Sequence, residues 1–152
     1  MTDRKHRILA VSSSGGHWKQ LMLLSDAFEG SEVWFACTDA RQGIRYELAN
    51  FVAIEDYSQD EPLKMLKGLY GTFRILRRIR PDVVLSTGAA PGLLCLLWGR
   101  VFGARTIWVD SIANSEGLSL SGRLAQRIAH LVLTQWEHLA TETGAQYRGS
   151  II

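Results

Sequence analysis

Arg7 to Leu24 reads RILAVSSSGGHWKQLMLL. Its opening run, Arg7 to Ser13 (RILAVSS), breaks into Ser-Ser-Gly-Gly, after which Trp18, Leu21, Leu24 and Phe28 recur at helical spacing. The reading is strand, glycine turn, helix. The same alternation continues outward. Glu32 to Thr38 (EVWFACT) is almost wholly apolar, as in a strand covered on both faces, and Phe51 to Ile54 is a weaker strand signal. Gly43 to Asn50 between them reads as a short helix. A longer helical pattern fills Leu63 to Ile79 and stops before Arg80-Pro81, because proline cannot continue a helix. Asp82 to Ser86 (DVVLS) is again a buried strand. Gly92 to Phe102 then reads as helix, Arg105 to Val109 as strand, Leu120 to Ala129 as helix, Leu131 to Thr134 as strand, and Trp136 to Thr143 as a closing helix. Apolar strands alternating with helices make βαβ units, whose right-handed crossovers build a parallel sheet with helices on both faces. The expected fold is α/β, a doubly wound parallel sheet.

The 152 residues fit one compact domain over 1–152, and no internal repeat or Pro/Gly/Ser linker divides them. At 47% hydrophobic and 21% charged the composition excludes a disordered chain. Seventeen basic against 15 acidic residues leave +2, so no overall field argues for a polyanionic partner, and no recognition motif argues for nucleic acid. Cys37 and Cys95 sit in apolar runs without metal-ligand or CxxC spacing, which reads as buried free thiols in a reduced compartment. Ile8 to Val11 falls short of a signal-peptide core, and the apolar stretch around Gly92 to Trp98 is stopped by Arg100, well under the ~20 residues that span a bilayer. Any membrane contact is expected to be at the surface.

In doubly wound sheets ligands bind outside the carboxyl ends of the strands, so the loops there carry the chemistry. Ser14-Gly15-Gly16-His17 follows the first strand and opens the first helix, where free backbone N–H groups favour an anion such as a phosphate. Neither a Walker ending nor GxGxxG is present, and a plain tight turn with a polar His17 is the competing reading. Thr87-Gly88-Ala89 lies in a second small-residue turn; it either lets a ligand approach the backbone or serves helix–strand packing. Asp110 ends the RTIWV strand, and Glu116 follows in a polar loop. An acid there acts as a general base if burial tunes it, or caps a turn or helix. Ser119 or Ser121 is the expected cap of the next helix.

Leu63 to Arg80, LKMLKGLYGTFRILRRIR, carries six cations and no acid. Leu66, Leu69, Tyr70, Phe73, Leu76 and Ile79 recur at helical spacing, with Lys67, Arg74, Arg77 and Arg78 around them. Such a helix either rests in an anionic membrane interface, where each cation contributes about 1 kcal/mol, or packs on the core with its charges solvated.

The ordered set AVSSSGGHWKQLMLL, RPDVVLSTGAAPG, IWVDSIANSEGLSLSGRLAQRIAHLVLTQWEHL and YRGSII spans nearly the whole chain. It resembles the Alg14-like family, including bacterial polysaccharide-synthesis members of the PssD and CpsF type. That resemblance implies a GT-B glycosyltransferase divided between two polypeptides, with this chain as its Rossmann-like, N-terminal, acceptor-side half. An Alg13-like or PssE-like partner would bind the nucleotide sugar, and one domain alone would lack a wall of the cleft. The implied reaction moves a sugar to a polyprenyl-diphosphate-linked saccharide during exopolysaccharide or capsule assembly, at the cytoplasmic face of the membrane, with no metal or cofactor. Its site would use Ser14, Gly15, Gly16, Thr87, Gly88, Ala89 and Glu116 around the acceptor, with His17 or Asp110 as the base. His17 has the better unperturbed pKa for that role. Asp110 stands where many members of the family have Glu. The family also resembles MurG, whose acceptor domain meets the membrane through an apolar patch flanked by basic residues. That likeness implies a membrane-facing set of Lys67, Leu69, Tyr70, Phe73, Arg74, Arg77 and Arg78, and the N-terminal membrane anchor of eukaryotic Alg14 proteins is not expected here. The competing function is a non-catalytic scaffold that recruits the catalytic partner to lipid.

Overall fold

The computed structural model describes residues 4–57 and 60–152. Strands β1 (Arg7–Ser12), β2 (Glu32–Cys37), β3 (Phe51–Ala53), β4 (Val83–Gly88), β5 (Arg105–Val109), β6 (Leu131–Thr134) and β7 (Gln146–Tyr147) form one sheet in the order β3-β2-β1-β4-β5-β6-β7. Every neighbouring pair is parallel. From β1 the chain winds outward to β3, then crosses back to β4 on the other side of β1. The order therefore reverses between β1 and β4, and the crevice at that switch point is where such sheets take their ligands.

Among the described residues six α-helices connect the strands: α1 (Gly16–Leu23), α2 (Arg41–Arg45), α3 (Pro62–Ile79), α4 (Ala90–Val101), α5 (Leu120–Ile128) and α6 (Glu137–Thr143). The continuous apolar reading of β1 is explained by two cores. Leu9 and Val11 face one, with Leu76 and Ile79 of α3, Cys95 and Leu96 of α4, and Ala125 of α5. Ile8 and Ala10 face the other, with Trp18 and Leu21 of α1 and Phe28 of the 3-10 turn that follows. Trp18 is 2% exposed and meets Phe35, Tyr46 and Phe51 edge-on. Burying a side chain of that size contributes about 2–3 kcal/mol, so α1, which carries no capping side chain, is held by packing.

The largest departures from the expected elements are local. α2 begins at Arg41 rather than Gly43, because Asp39 accepts hydrogen bonds from the Arg41 backbone and the Gln42 side chain, and it closes before Glu47 at φ 51. α1 ends at Leu23, and the apolar spacing to Phe28 is completed by the 3-10 turn over Ser25–Phe28. β4 runs two residues beyond Ser86, which brings Thr87 and Gly88 into the strand. β7 pairs only Gln146 and Tyr147 with β6 and is too short to show a period.

Candidate functional site

The switch point brings both glycine turns together. Ser13 donates its backbone N–H to the Gly88 carbonyl at 2.8 Å, and Thr87 Oγ1 donates to the His17 carbonyl at 2.7 Å. Gly15, at φ 80, turns the chain from β1 into α1 in a conformation that favours glycine. Gly88, at φ 128, has the His17 ring against it: a Cβ added there would lie 2.6 Å from Nδ1. α1 and α4 both begin here, neither with a capping side chain nor with an acid in its first turn. Two helix N-termini thus keep their positive ends open to an anion. Ser14, Gly15 and Gly16 are exposed, Ala89 is half-buried, and Thr87 and Gly88 are buried beneath them.

Opposite His17 stands the loop that follows β5. Gly16, His17, Ser111, Ala113, Asn114 and Ser119 line a cavity of about 350 Å³. His17 is half-buried, and its Nδ1, pressed toward Gly88, has no hydrogen-bond partner among the described residues. Glu116 is exposed on the same loop and does not line the cavity.

Asp110 is engaged by its own strand and by the loop that follows it. It is 2% exposed, and four donors converge on its carboxylate. Trp108 Nε1 and Ser119 Oγ reach Oδ1 at 2.9 and 2.6 Å, while the Ser119 backbone N–H and Asn114 Nδ2 reach Oδ2 at 2.9 and 3.2 Å. Ser119 in turn caps α5 by accepting the Gly122 N–H at 2.9 Å. A carboxylate so surrounded ties the two ends of the loop together.

Sequence reasoning left four further contributors without a role. Gln20 Nε2 donates to Ser111 Oγ at 3.0 Å, and Gln135 Nε2 donates to Gln20 Oε1 at 2.7 Å and to the Asp110 carbonyl at 3.0 Å. Trp136 Nε1 donates to the Ile112 carbonyl at 2.8 Å, and His138 Nε2 lies 2.7 Å from the Ser115 carbonyl. The available signal was polar Gln135 directly after the apolar LVLT strand, inside the TQW motif.

Comparison with known proteins matches residues 52–151 to the family described as oligosaccharide biosynthesis protein Alg14 like. The chain belongs to the Alg14-like family. Similar proteins include the UDP-N-acetylglucosamine transferase subunit ALG14 of Eremothecium gossypii, 38% identical over 80 residues that cover 45% of this chain and 36% of that one. The human subunit of the same name is 23% identical over 164 residues, 87% of this chain and 76% of that one. Among solved structures, Acinetobacter baumannii MurG superposes with a TM-score of 0.72 at 15% identity, covering 89% of this chain and 42% of MurG. The UDP-GlcNAc 2-epimerase of Methanocaldococcus jannaschii gives 0.67 at 15%, covering 92% and 43%. The Alg14-like chain thus has the Rossmann-like fold of one half of GT-B proteins and spans less than half of these longer chains.

In the Alg14-like chain α3 divides its apolar stripe. Leu76 and Ile79 are buried, whereas Leu69 and Phe73 are half-buried: the Phe73 ring lies 5.0 Å from that of Trp98 on α4, and Trp98 Nε1 donates to the Leu69 backbone carbonyl at 2.9 Å. Of the expected membrane-facing set, Leu69 and Phe73 are half-buried, and Lys67, Tyr70, Arg74, Arg77 and Arg78 are exposed. The outward face carries Leu63, Leu66 and Tyr70 in its first half, and Arg74, Arg77 and Arg78 in its second, with Lys67 beside them. No helix among the described residues is long and apolar enough to cross a membrane. A cavity of about 580 Å³ lies between the ends of α3 and α4, at the amino edge of the sheet. The switch-point loops lie at the opposite edge. Arg77 of that cavity, like Arg100 and Arg127, falls in the last turn of a helix, where a cation complements the dipole.

Proposed function

We propose that this chain is the acceptor-side subunit of a two-polypeptide glycosyltransferase. It would move N-acetylglucosamine, the sugar in its relatives' names, from a UDP donor to a polyprenyl-diphosphate-linked saccharide, in exopolysaccharide or capsule assembly. The supporting observation is a cleft with one finished wall. His17 and the loop from Ser111 to Ser119 face each other at the switch point, and the chain covers only 42% of the two-domain MurG likeness. An Alg13-like or PssE-like partner would supply the donor-binding wall.

The acceptor's diphosphate would lie against Ser14, Gly15 and Gly16 and the turn through Thr87, Gly88 and Ala89, neutralised by the open ends of α1 and α4. Glu116 would meet the saccharide at the cleft's rim. With Nδ1 turned toward Gly88, Nε2 of His17 is the nitrogen that would take the proton from the acceptor hydroxyl as that oxygen displaces UDP with inversion. Asp110 would act by positioning the loop. No metal is part of this scheme.

The outward face of α3 would hold the subunit at the inner surface of the plasma membrane, with Leu63, Leu66 and Tyr70 immersed and Lys67, Arg74, Arg77 and Arg78 among anionic headgroups. Changing Arg74, Arg77 and Arg78 together to Gln should remove about 3 kcal/mol, roughly a hundredfold in binding to anionic vesicles at low salt. Unchanged sedimentation with the vesicles would refute the electrostatic part.

The catalytic reading is tested in the reconstituted pair. His17→Ala should abolish transfer from UDP-N-acetylglucosamine to a lipid-linked acceptor while the subunits still co-purify. The engaged state of Asp110 favours one rival, a scaffold that lends the partner a surface and no reacting group. Full turnover by His17→Ala would establish that rival.

A further inference from the structure

We propose that Gln135 is a positioning residue that sets the separation between His17 and the loop opposite it; this rests on the role given to His17 above. Gln135 follows β6 directly and is 5% exposed, so its amide has no water to fall back on. Its Nε2 serves two acceptors from different elements, Gln20 Oε1 of α1 and the Asp110 carbonyl at the end of β5. Its Oε1 accepts the Ile151 N–H at 3.1 Å, which fixes which end of the amide points inward.

Gln20 lies one turn after His17 on α1, so residues that grip Gln20 also grip the base of His17. The remaining contacts of Gln20 go to the first residues of the loop, Ser111 Oγ at 3.0 Å and the Ile112 N–H at 3.4 Å. The single side chain of Gln135 therefore joins the element carrying His17 to the strand end from which the facing wall departs. A proton transfer falls off steeply when its partners separate by about 1 Å.

The direction of these bonds gives an asymmetric test in the partner-bound protein. Gln20→Glu keeps an acceptor facing the Gln135 amide and should lose less of kcat than either Gln135 variant. Gln135→Glu sets a carboxylate against two acceptors. Gln135→Met, nearly isosteric and uncharged, removes the donor without burying a charge. Both Gln135 variants should lose about tenfold or more in kcat, with the KM for acceptor and donor unmoved. Amide exchange at Ile112 to Asn114 should quicken in the Gln135 variants and not in Gln20→Glu. Equal turnover of Gln20→Glu and Gln135→Met, or faster exchange with undiminished kcat, overturns the proposal. An inactive parent pair would refute the proposed function instead. Exchange would then still read the clamp, and unchanged protection in Gln135→Met would overturn it.

Discussion

Replacing Gly88 by alanine tests the core of the site with one methyl group. A Cβ at this position would lie 2.6, 2.7 and 3.0 Å from Nδ1, Cε1 and Cγ of His17, whereas ordinary contact begins at 3.4 Å; the ring must retreat by about 0.8 Å, the difference between 3.4 and 2.6. The φ of 128 adds backbone strain of about 1–3 kcal/mol, since L residues rarely adopt it. For a domain of this length that strain alone lowers Tm by roughly 2–12 °C. A base displaced by nearly 1 Å costs up to about a hundredfold in turnover. The two effects separate in a double-mutant cycle read by thermal melts. In a His17→Ala background the ring is gone, so Gly88→Ala should cost only the strain, and the Tm changes should be less than additive. Strict additivity would refute the contact between Gly88 and the His17 ring. Wild-type kcat in the partner-bound Gly88→Ala variant would refute the claim that the ring's place matters to the reaction.

Asp110→Asn should destabilise by about 1–3 kcal/mol in urea titrations, because the amide turns an N–H₂ toward two of the four converging donors; a wild-type midpoint would show the loop does not depend on that carboxylate. Burial pushes the Cys95 thiol up to about 12, and desolvation raises that of Cys37, so neither should be alkylated by iodoacetamide at pH 8 until the protein unfolds. Fast labelling of the native chain would contradict both. The Arg7 side-chain hydrogen bond holds the Glu32 carboxyl below its ordinary value. A depressed folded-state pKa gives stability that is present above the unfolded value, about 4.3, and is lost as pH falls through the folded one. Arg7→Gln should therefore flatten the loss of stability below about pH 4, and an unchanged acid limb would show that the pair contributes nothing.

The sequence signals were strongest where a segment's conformation depends on its own residues. β1, β2, β4 and β5 are apolar runs closed by glycine, proline or a polar residue, and each appears in the fold with ends shifted by at most two residues. α2 was misplaced because its start is set by the Asp39 side chain rather than by an apolar period. The two glycine turns were legible as candidate sites, since only small residues suit a strand end that must turn sharply. Their meeting was not, because it depends on strand order. Gln135 is illegible for the same reason taken further: its partners, Gln20, Asp110 and Ile151, lie on three other segments, and no spacing in the chain connects them. The apolar stripe of α3 was visible, but how much of it is covered depends on α4, whose Trp98 meets the Phe73 ring and donates to the Leu69 backbone carbonyl.

The direction of α3 joins the proposed membrane contact to the proposed chemistry. A helix crossing from β3 to β4 in a parallel sheet must run against the strands, so its first half lies toward their carboxyl edge and its second toward their amino edge. The outward apolar residues Leu63, Leu66 and Tyr70 are in the first half, at the edge that also carries His17 and the loop from Ser111 to Ser119. The arginines are in the second. An interface that takes the apolar half deeper than the cationic half tips the carboxyl edge toward the lipid. A lipid-linked acceptor would then present its diphosphate to the open ends of α1 and α4 without leaving the bilayer. Reversing the order of the two halves along α3 would keep the composition and the amphipathic period while turning the cleft away. The order of residues within this helix is thus a stronger argument for the acceptor role than its charge or its apolar content.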